Sequence, residues 1–337
     1  MTPVRYLNRL EELLDSLEHW ALVVHRNLEV PEPLLMRAAW VQTVSSSDKN
    51  IATALALRER IAKTGVHSVV VIGPGAIMDL ARFAYSASSA DVLRAFSKET
   101  RATYEDIERD PLPGDLILCP SAVSGAESGR VAVVKKSGSE RLFVKVPEGS
   151  IVYIEDVLKQ TPSRVFRMSI ENCLSKAYDA YVLTRGDERS MEALVAAVEL
   201  ERSQFESRPS RLHQAQLAAR VQDGGGIGII HATCHLVRFK LDVQQGEVHK
   251  ILRRPVFDWA CERRHLSAPP FLSVSGSPPH GTNIVPACSP ESSVVTGGEL
   301  KEWYESDVLC DLSWMDWNII DLRGLAALVR RAMESTR

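Results

Sequence analysis

In the run HATCH, His231 and His235 stand four residues apart. On a helix that spacing puts both imidazoles on one face. Imidazole is both a metal ligand and a proton carrier, so the pair can hold a cation or relay a proton. Two packed structural histidines would show the same spacing. Asn172 and Lys176, in ENCLSKAYDAY, repeat the i, i+4 relation. A third feature is the turn in VVVIGPGAIMD, where Gly73, Pro74 and Gly75 separate a β-branched run from a helical pattern. Glycines there let a phosphate approach backbone N–H groups, and a helix N-terminus favours the anion. Pro74 gives up one donor and stiffens the turn. The turn is not the GxGxxG fingerprint, because the third residue after Gly75 is Met78. A plain strand–helix connection would carry the same glycines.

The elements that must position these residues change character along the chain. In the first half, strand-like and helix-like segments alternate: Trp20 to Val24, the helical pattern from Ile51 to Lys63, the run ahead of Gly73, a strand around Ile117 and Leu118, and another over Arg130 to Lys135. Such alternation predicts a parallel α/β sheet. Leu7, Leu10, Leu13, Leu14 and Leu17 sit at helical spacing. Beyond about residue 160 helical patterns dominate, over 163–185, 189–206, 209–222 and 226–240, and a last helix runs from Leu322 to Glu334. The expected organisation is an α/β domain over 1–160 and an all-α domain over 161–337. The stretch 266–298, rich in Pro, Ser and Gly, reads as a long irregular loop. Residues 302–317 carry three of the six tryptophans and follow neither pattern.

The 337 residues suit two domains. A net charge of −3 gives no reason to expect nucleic acid or an anionic membrane as a partner. No apolar run approaches the ~20 residues of a membrane span. Acidic residues interrupt any signal-peptide core at the N-terminus. Six cysteines without a CxxC spacing fit reduced, buried thiols and a cytoplasmic location.

Four motifs occur in the order seen in the iron-containing alcohol dehydrogenase and dehydroquinate synthase-like superfamily, and over residues 20–250 the chain resembles it. GPGAIMDLARFA resembles GGGSxxDxAK, with Gly73, Gly75, Ala76, Asp79 and Arg82 on its motif positions. PSAVSGAESGRVAV is similar to PTTAGTGSEVTxxAV; Pro120 and Ser121 match its leading Pro-Thr, and Ser124, Gly125, Ala126 and Glu127 match TGSE. ENCLSKAYDAY matches DALxHAxEAY, and HATCHLVRFK matches the HxxxH helix. The resemblance implies a dehydroquinate synthase-like fold whose first domain binds a nicotinamide dinucleotide, with hydride moving in the cleft between domains beside a metal held by the helical domain. It assigns Gly73, Pro74, Gly75, Ala76, Asp79, Ser121 and Ser124 to the cofactor surface. Arg26 stands where the family's first strand ends in an Asp that reads the ribose, and a cation there suits the 2′-phosphate of NADP over NAD.

The same alignment puts Asn172 on the family's metal-binding Asp and Lys176 on its first metal-binding His. His231 keeps a ligand position, His235 matches the histidine that handles protons near the substrate, and His249 in QGEVHKI is the candidate for the last ligand. A divalent ion needs deprotonated donors. Asn172 offers a neutral carbonyl, and the Lys176 ammonium has no lone pair. The expectation is therefore that metal is absent or, if retained, held by His231 and His249. Lys176 then becomes the electrophile or general acid/base, with His231 and His235 orienting substrate and relaying a proton. The expected function is an NAD(P)-dependent oxidoreductase acting on a hydroxyl or carbonyl. It would be a tailoring enzyme of natural product biosynthesis on a small-molecule or peptide substrate, including oxidative decarboxylation of a β-hydroxy acid such as a peptide C-terminal Thr. The alternatives are a dehydroquinate synthase-like lyase or cyclase, drawing cationic phosphate contacts from Arg253, Arg254, Arg263 and Arg264, and a non-catalytic subunit. A homodimer or a biosynthetic complex is the expected assembly.

Overall fold

In a computed structural model the described residues are 4–90, 92, 110–122, 126, 131–135, 141–146, 149–202, 228–241, 245–274, 296–306 and 322–334. The chain divides into two compact units, Met1–Phe166 and Arg167–Arg337.

The first unit is built on six parallel strands. In chain order its elements are β1 (Val4–Leu7), α1 (Leu10–Leu14), β2 (Trp20–His25), α2 (Glu32–Leu35), β3 (Val41–Val44), α3 (Ile51–Thr64), β4 (Ser68–Gly73), α4 (Gly75–Ser86), β5 (Asp115–Pro120), β6 (Val131–Lys135), β7 (Arg141–Lys145), β8 (Ser150–Ile154) and α5 (Glu155–Lys159). The sheet order is β1-β8-β5-β4-β2-β3. Strands β2 and β4 read as unbroken apolar runs because helices cover both of their faces. Side chains alternate between the two layers. Ala21, Val23, Val69, Val71 and Leu118 pack with Leu57, Ile61 and Ile77 of α3 and α4. Trp20, Leu22, Val70, Ile72 and Cys119 pack on the other side with Leu10, Leu13, Leu14 and Val157. Helix α3 starts at Asn50, whose side chain accepts from the Thr53 N–H at 2.9 Å, and ends at Gly65 with φ +60°.

Two expectations need correction. The leucines at helical spacing do not form one N-terminal helix. Leu7 ends strand β1, paired in parallel with β8, and only Leu10–Leu14 is helical. Pairing with β8 along all four residues gives Val4–Leu7 backbone partners on one side, and this outweighs a propensity-level preference for helix. The strand over 131–135 exists but lies outside the parallel sheet. It pairs antiparallel with β7 as a separate two-stranded ribbon, and Ala132 and Val134 are buried in the α3–α4 layer. The place beside β5 is taken by β8, and strands so close in sequence close more readily as an antiparallel hairpin than through a parallel crossover.

The second unit is helical: α6 (Ser163–Leu183, which begins in the first unit), α7 (Glu188–Arg202), α8 (Ile229–Leu241), α9 (Gln245–Arg263), a 3-10 turn at Pro270–Val274, α10 (Gly297–Ser306) and α11 (Leu322–Glu334). Its core joins Tyr178 and Val182 of α6 to Ile230 of α8, Val256 and Phe257 of α9, Leu300 of α10 and Leu325 of α11. The helix expected over 209–222, most of the loop 266–298 and residues 307–317 lie outside the described residues. Cys119, Cys173, Cys234 and Cys261 are buried. Among the described residues no helix is long and apolar enough to cross a membrane.

Leu57 is fully buried between α3 and the sheet. Leu57→Ala is expected to lower stability by about 2–5 kcal/mol through lost burial and a residual cavity. In urea unfolding followed by a first-unit probe, the midpoint should fall with little change in slope.

Candidate functional site

The turn between β4 and α4 lies where the sheet order reverses. From β2 the chain proceeds outward to β3, and from β4 it proceeds the other way to β5. In open α/β sheets, ligands bind outside the carboxyl ends of the strands at such a point. Gly73 ends β4 there, and a Cβ on it would lie 3.1 Å from the Ile77 Cβ and 3.2 Å from the His25 Cβ. Packing alone therefore keeps that position small. Pro74 caps α4 in an extended conformation without a side-chain hydrogen bond, and its carbonyl accepts from the N–H of Ile77 (2.9 Å) and Met78 (3.2 Å). Helix geometry leaves the N–H groups of Gly75 and Ala76 without intrahelical acceptors, the arrangement that receives a phosphate. Buried Ser121 adjoins the turn, its N–H donating to the Gly73 carbonyl at 2.9 Å. These residues fit a dinucleotide pyrophosphate.

Other residues of the expected cofactor surface are arranged differently. Asp79 is buried on α4 and ion-paired with Lys49. Arg82 is buried and donates to the Ala126 carbonyl. Arg26 follows β2, with 60% of its side chain exposed and its guanidinium 3.8 Å from Asp48. The Ser45 N–H and hydroxyl hold the Asp48 carboxyl below its ordinary range, with a smaller contribution from Arg26. Ser124 lies outside the described residues.

In the second unit three helices bring their polar faces together. Helix α8 carries His231 and His235, with ring centroids 4.6 Å apart. Helix α9 brings His249 to 4.9 Å from His231. Asn172 and Lys176, both half-buried, lie on α6, and the Lys176 charge acts on the His249 ring. Two contacts fix that helix. Glu171 is ion-paired with buried Arg253 on α9, whose guanidinium also lies 5.3 Å from the Tyr178 ring. Asp179, fully buried, accepts from the N–H groups of Ile230 (2.9 Å) and His231 (3.0 Å) and so caps α8 from outside. Gly228 is required beside it, since a Cβ there would collide with the Asp179 carboxyl.

The electrostatics of this centre are cationic. Burial pushes the His249 pKa well below its ordinary value, and His235, Arg253, Lys176 and Arg238 push it further. Glu171 is committed to Arg253 and Asp179 to the α8 N-terminus. Lys176 has no ion pair among the described residues. This donor set does not fit a divalent metal. The positions the resemblance assigns to ligands on α6 hold an amide and an ammonium. The His249 imidazole that remains faces cations.

No family model matches the chain, and no curated protein matches it in sequence. Solved structures do. Maleylacetate reductase from Agrobacterium tumefaciens matches with a TM-score of 0.66 at 19% identity, covering 100% of this chain and 98% of that one. An iron-containing alcohol dehydrogenase from Thermotoga maritima matches with a TM-score of 0.61 at 14% identity, over 99% and 97% of the two chains. The fold is that of the iron-containing alcohol dehydrogenases. Sulfoacetaldehyde reductase from Bifidobacterium kashiwanohense, solved with NAD+, has the same fold, with a TM-score of 0.56 at 15% identity over 78% and 75% of the chains. The iron-containing alcohol dehydrogenase fold accounts for an α/β unit followed by a helical one.

Sequence reasoning missed Glu171, Asp179 and Arg238 as parts of the centre. A helical-wheel signal was present for Arg238, which lies seven residues after His231 and three after His235. No comparable signal marks Asp179, because its partners are backbone groups.

Burial raises the Asp179 pKa from 3.8 to about 7, against the lowering effect of its two N–H donors. Between those values the folded state binds the proton and the unfolded state does not, so this group's contribution to stability falls as pH rises. Relative to Asp179→Asn, the wild-type protein is therefore expected to lose stability from about pH 4 to about pH 7. Denaturant midpoints of both proteins across that range give the comparison.

Proposed function

We propose that the protein is an NAD(P)-dependent oxidoreductase acting on a hydroxyl or carbonyl group, with Lys176 in the role a metal ion has elsewhere in this fold. The observation that carries the reading is the Lys176 ammonium, half-buried, without an ion pair among the described residues, and acting on His249, whose ring packs against His231. The neighbours support the class by their names: two are reductases, one of them solved with NAD+, and one is an alcohol dehydrogenase.

A bound nicotinamide supplies or accepts the hydride. The β4–α4 turn would hold the pyrophosphate on the N–H groups of Gly75 and Ala76. Arg26, just after β2, would meet the adenosine ribose, where its charge would favour NADP. Lys176 donates a hydrogen bond to the reacting oxygen and stabilises negative charge as it develops there. His235 is the proton carrier, adjacent to His231, whose helix is fixed by Asp179. His249, kept neutral by burial and its cationic neighbours, can accept a hydrogen bond at the centre without adding charge.

With a β-hydroxy acid, hydride leaves the carbinol carbon and its hydroxyl proton passes to His235. The resulting β-oxo acid can then break its Cα–carboxyl bond, releasing CO2 and leaving an enolate that takes up a proton. Natural-product tailoring of a small molecule or peptide, by a homodimer or within a biosynthetic complex, belongs to the same proposal. The dehydroquinate synthase-like reading is less well supported, because the arginines it needs for phosphate are engaged in helix packing. Arg253 pairs with Glu171, Arg254 with Asp258, and Arg264 donates to the carbonyls of Val182 and Leu183.

Lys176→Ala is expected to abolish turnover while leaving NADPH binding intact, read by fluorescence titration beside a substrate screen; unaltered turnover would discard this role. Arg26→Ala should weaken NADPH by about tenfold and leave NADH nearly unchanged, as expected for loss of one charge-assisted contact. Equal weakening of both cofactors would remove Arg26 from 2′-phosphate recognition.

A further inference from the structure

Strands β2 and β3 end side by side at one edge of the parallel sheet, and a charged residue follows each of them. His25 pairs with Val44, and the Arg26 N–H donates to the Val44 carbonyl at 2.8 Å, so the Arg26 side chain starts beside the end of β3. Past β3 the short 3-10 turn Ser46–Asp48 brings Asp48 to the same place. The two charges are held differently. Asp48 Oδ2 accepts from the Ser45 N–H at 2.7 Å and from the Ser45 hydroxyl at 2.8 Å, which fixes the carboxylate and favours its ionised form. Arg26 meets the same oxygen through one guanidinium nitrogen at 3.8 Å, with 60% of its side chain exposed. So long and exposed a pair is weak, and the guanidinium can turn away while the carboxylate stays. Asp48 Oδ1 has no hydrogen bond among the described residues, and the side chain is 38% exposed. A fixed, ionised oxygen of this kind accepts from a hydroxyl and opposes a second anion.

The sheet order β4-β2-β3 places this oxygen two strands from the β4–α4 turn. Strands lie about 4.8 Å apart, so the end of β3 is roughly 10 Å from the glycines, a span that an adenosine ribose and these side chains cover together. Resting on the reading of that turn as a dinucleotide site, we propose that Asp48 sets the choice between NAD and NADP. Its Oδ1 accepts from the ribose 2′-hydroxyl of NAD while Arg26 remains on Oδ2. With NADP the 2′-phosphate draws Arg26 away, but it must then lie beside a carboxylate that cannot retreat. The pair therefore admits both cofactors, and Asp48 offsets part of the preference that Arg26 alone gives to NADP.

Fluorescence titration of NADH and NADPH into the full chain tests this. Asp48→Asn removes the charge and keeps an oxygen for Ser45. It should tighten NADPH about three- to fivefold and weaken NADH by a similar factor, the scale of one exposed charged contact. The opposite signs are diagnostic, because damage to the fold would weaken both cofactors. A second measurement needs no variant: the 2′-deoxy analogue of NADH should bind the wild-type chain about threefold or more less tightly than NADH, as expected for one lost hydrogen bond. An affinity ratio of NADPH to NADH unmoved by Asp48→Asn, or equal binding of NADH and its 2′-deoxy analogue, would overturn the assignment. A wild-type chain that binds neither dinucleotide would remove the oxidoreductase reading itself, whereas binding of both with an unmoved ratio removes Asp48 alone.

Discussion

Helix α6 is held at two points eight residues apart, and the chemistry of the second unit depends on that constraint. At one end Glu171 reaches Arg253 on α9, and at the other Asp179 caps α8. The two contacts span roughly 12 Å of helix at 1.5 Å per residue, and Asn172 and Lys176 lie between them. Because each contact goes to a different helix, together they fix α6 against both carriers of the histidine cluster. Neither is a surface ion pair of marginal value. Glu171 and Arg253 are almost fully buried, and removing one partner would leave the other charged and desolvated. Asp179 satisfies N–H groups that α8 cannot satisfy itself.

The same contacts determine the charge of the site. With both carboxylates engaged, no acid is left to balance Lys176 among the described residues. An ion of charge +2 would need anionic or neutral lone-pair donors, and here it would meet an amide, an ammonium and, at His249, an imidazole already facing guanidinium groups. An ammonium reverses the requirement: it brings donors and needs acceptors. A substrate oxygen that gains charge during hydride transfer is such an acceptor. Stabilisation by a fixed donor in a partly desolvated place needs little reorganisation as that charge appears.

Much of this was legible in the chain. Continuous apolar runs marked β2 and β4, because burial on both faces removes the usual polar alternation. The helix ending at Glu334 was readable to the residue, since its leucines and arginines separate cleanly onto two faces. The polar centre was half legible. The i, i+4 pairs on α6 and α8 could be seen, and His249 could be suggested but not joined to them, since convergence of three helices is a tertiary fact. Asp179 stayed hidden because a carboxylate that caps another helix leaves no periodic trace. Leu7 was misread for the opposite reason: a local spacing was present, but pairing with a strand some 140 residues later decided its conformation.

The chain as a whole is slightly acidic, with a net charge of −3. Its positive features are therefore local. The α4 N-terminus presents backbone N–H groups in the first unit, and Lys176 carries a half-buried charge in the second. At physiological salt, fields between exposed charges fade within about 8 Å, so surface acids elsewhere do little to offset charges inside a partly buried site. This bears on the possibility that the chain serves only as a scaffold. A protein required merely to fold gains nothing from a half-buried ammonium lacking a carboxylate, because desolvation penalises it in every folded molecule. Replacing Lys176 by an apolar residue would relieve that penalty. On the oxidoreductase reading proposed above, its presence beside His249 is accounted for when a ligand supplies the missing negative charge.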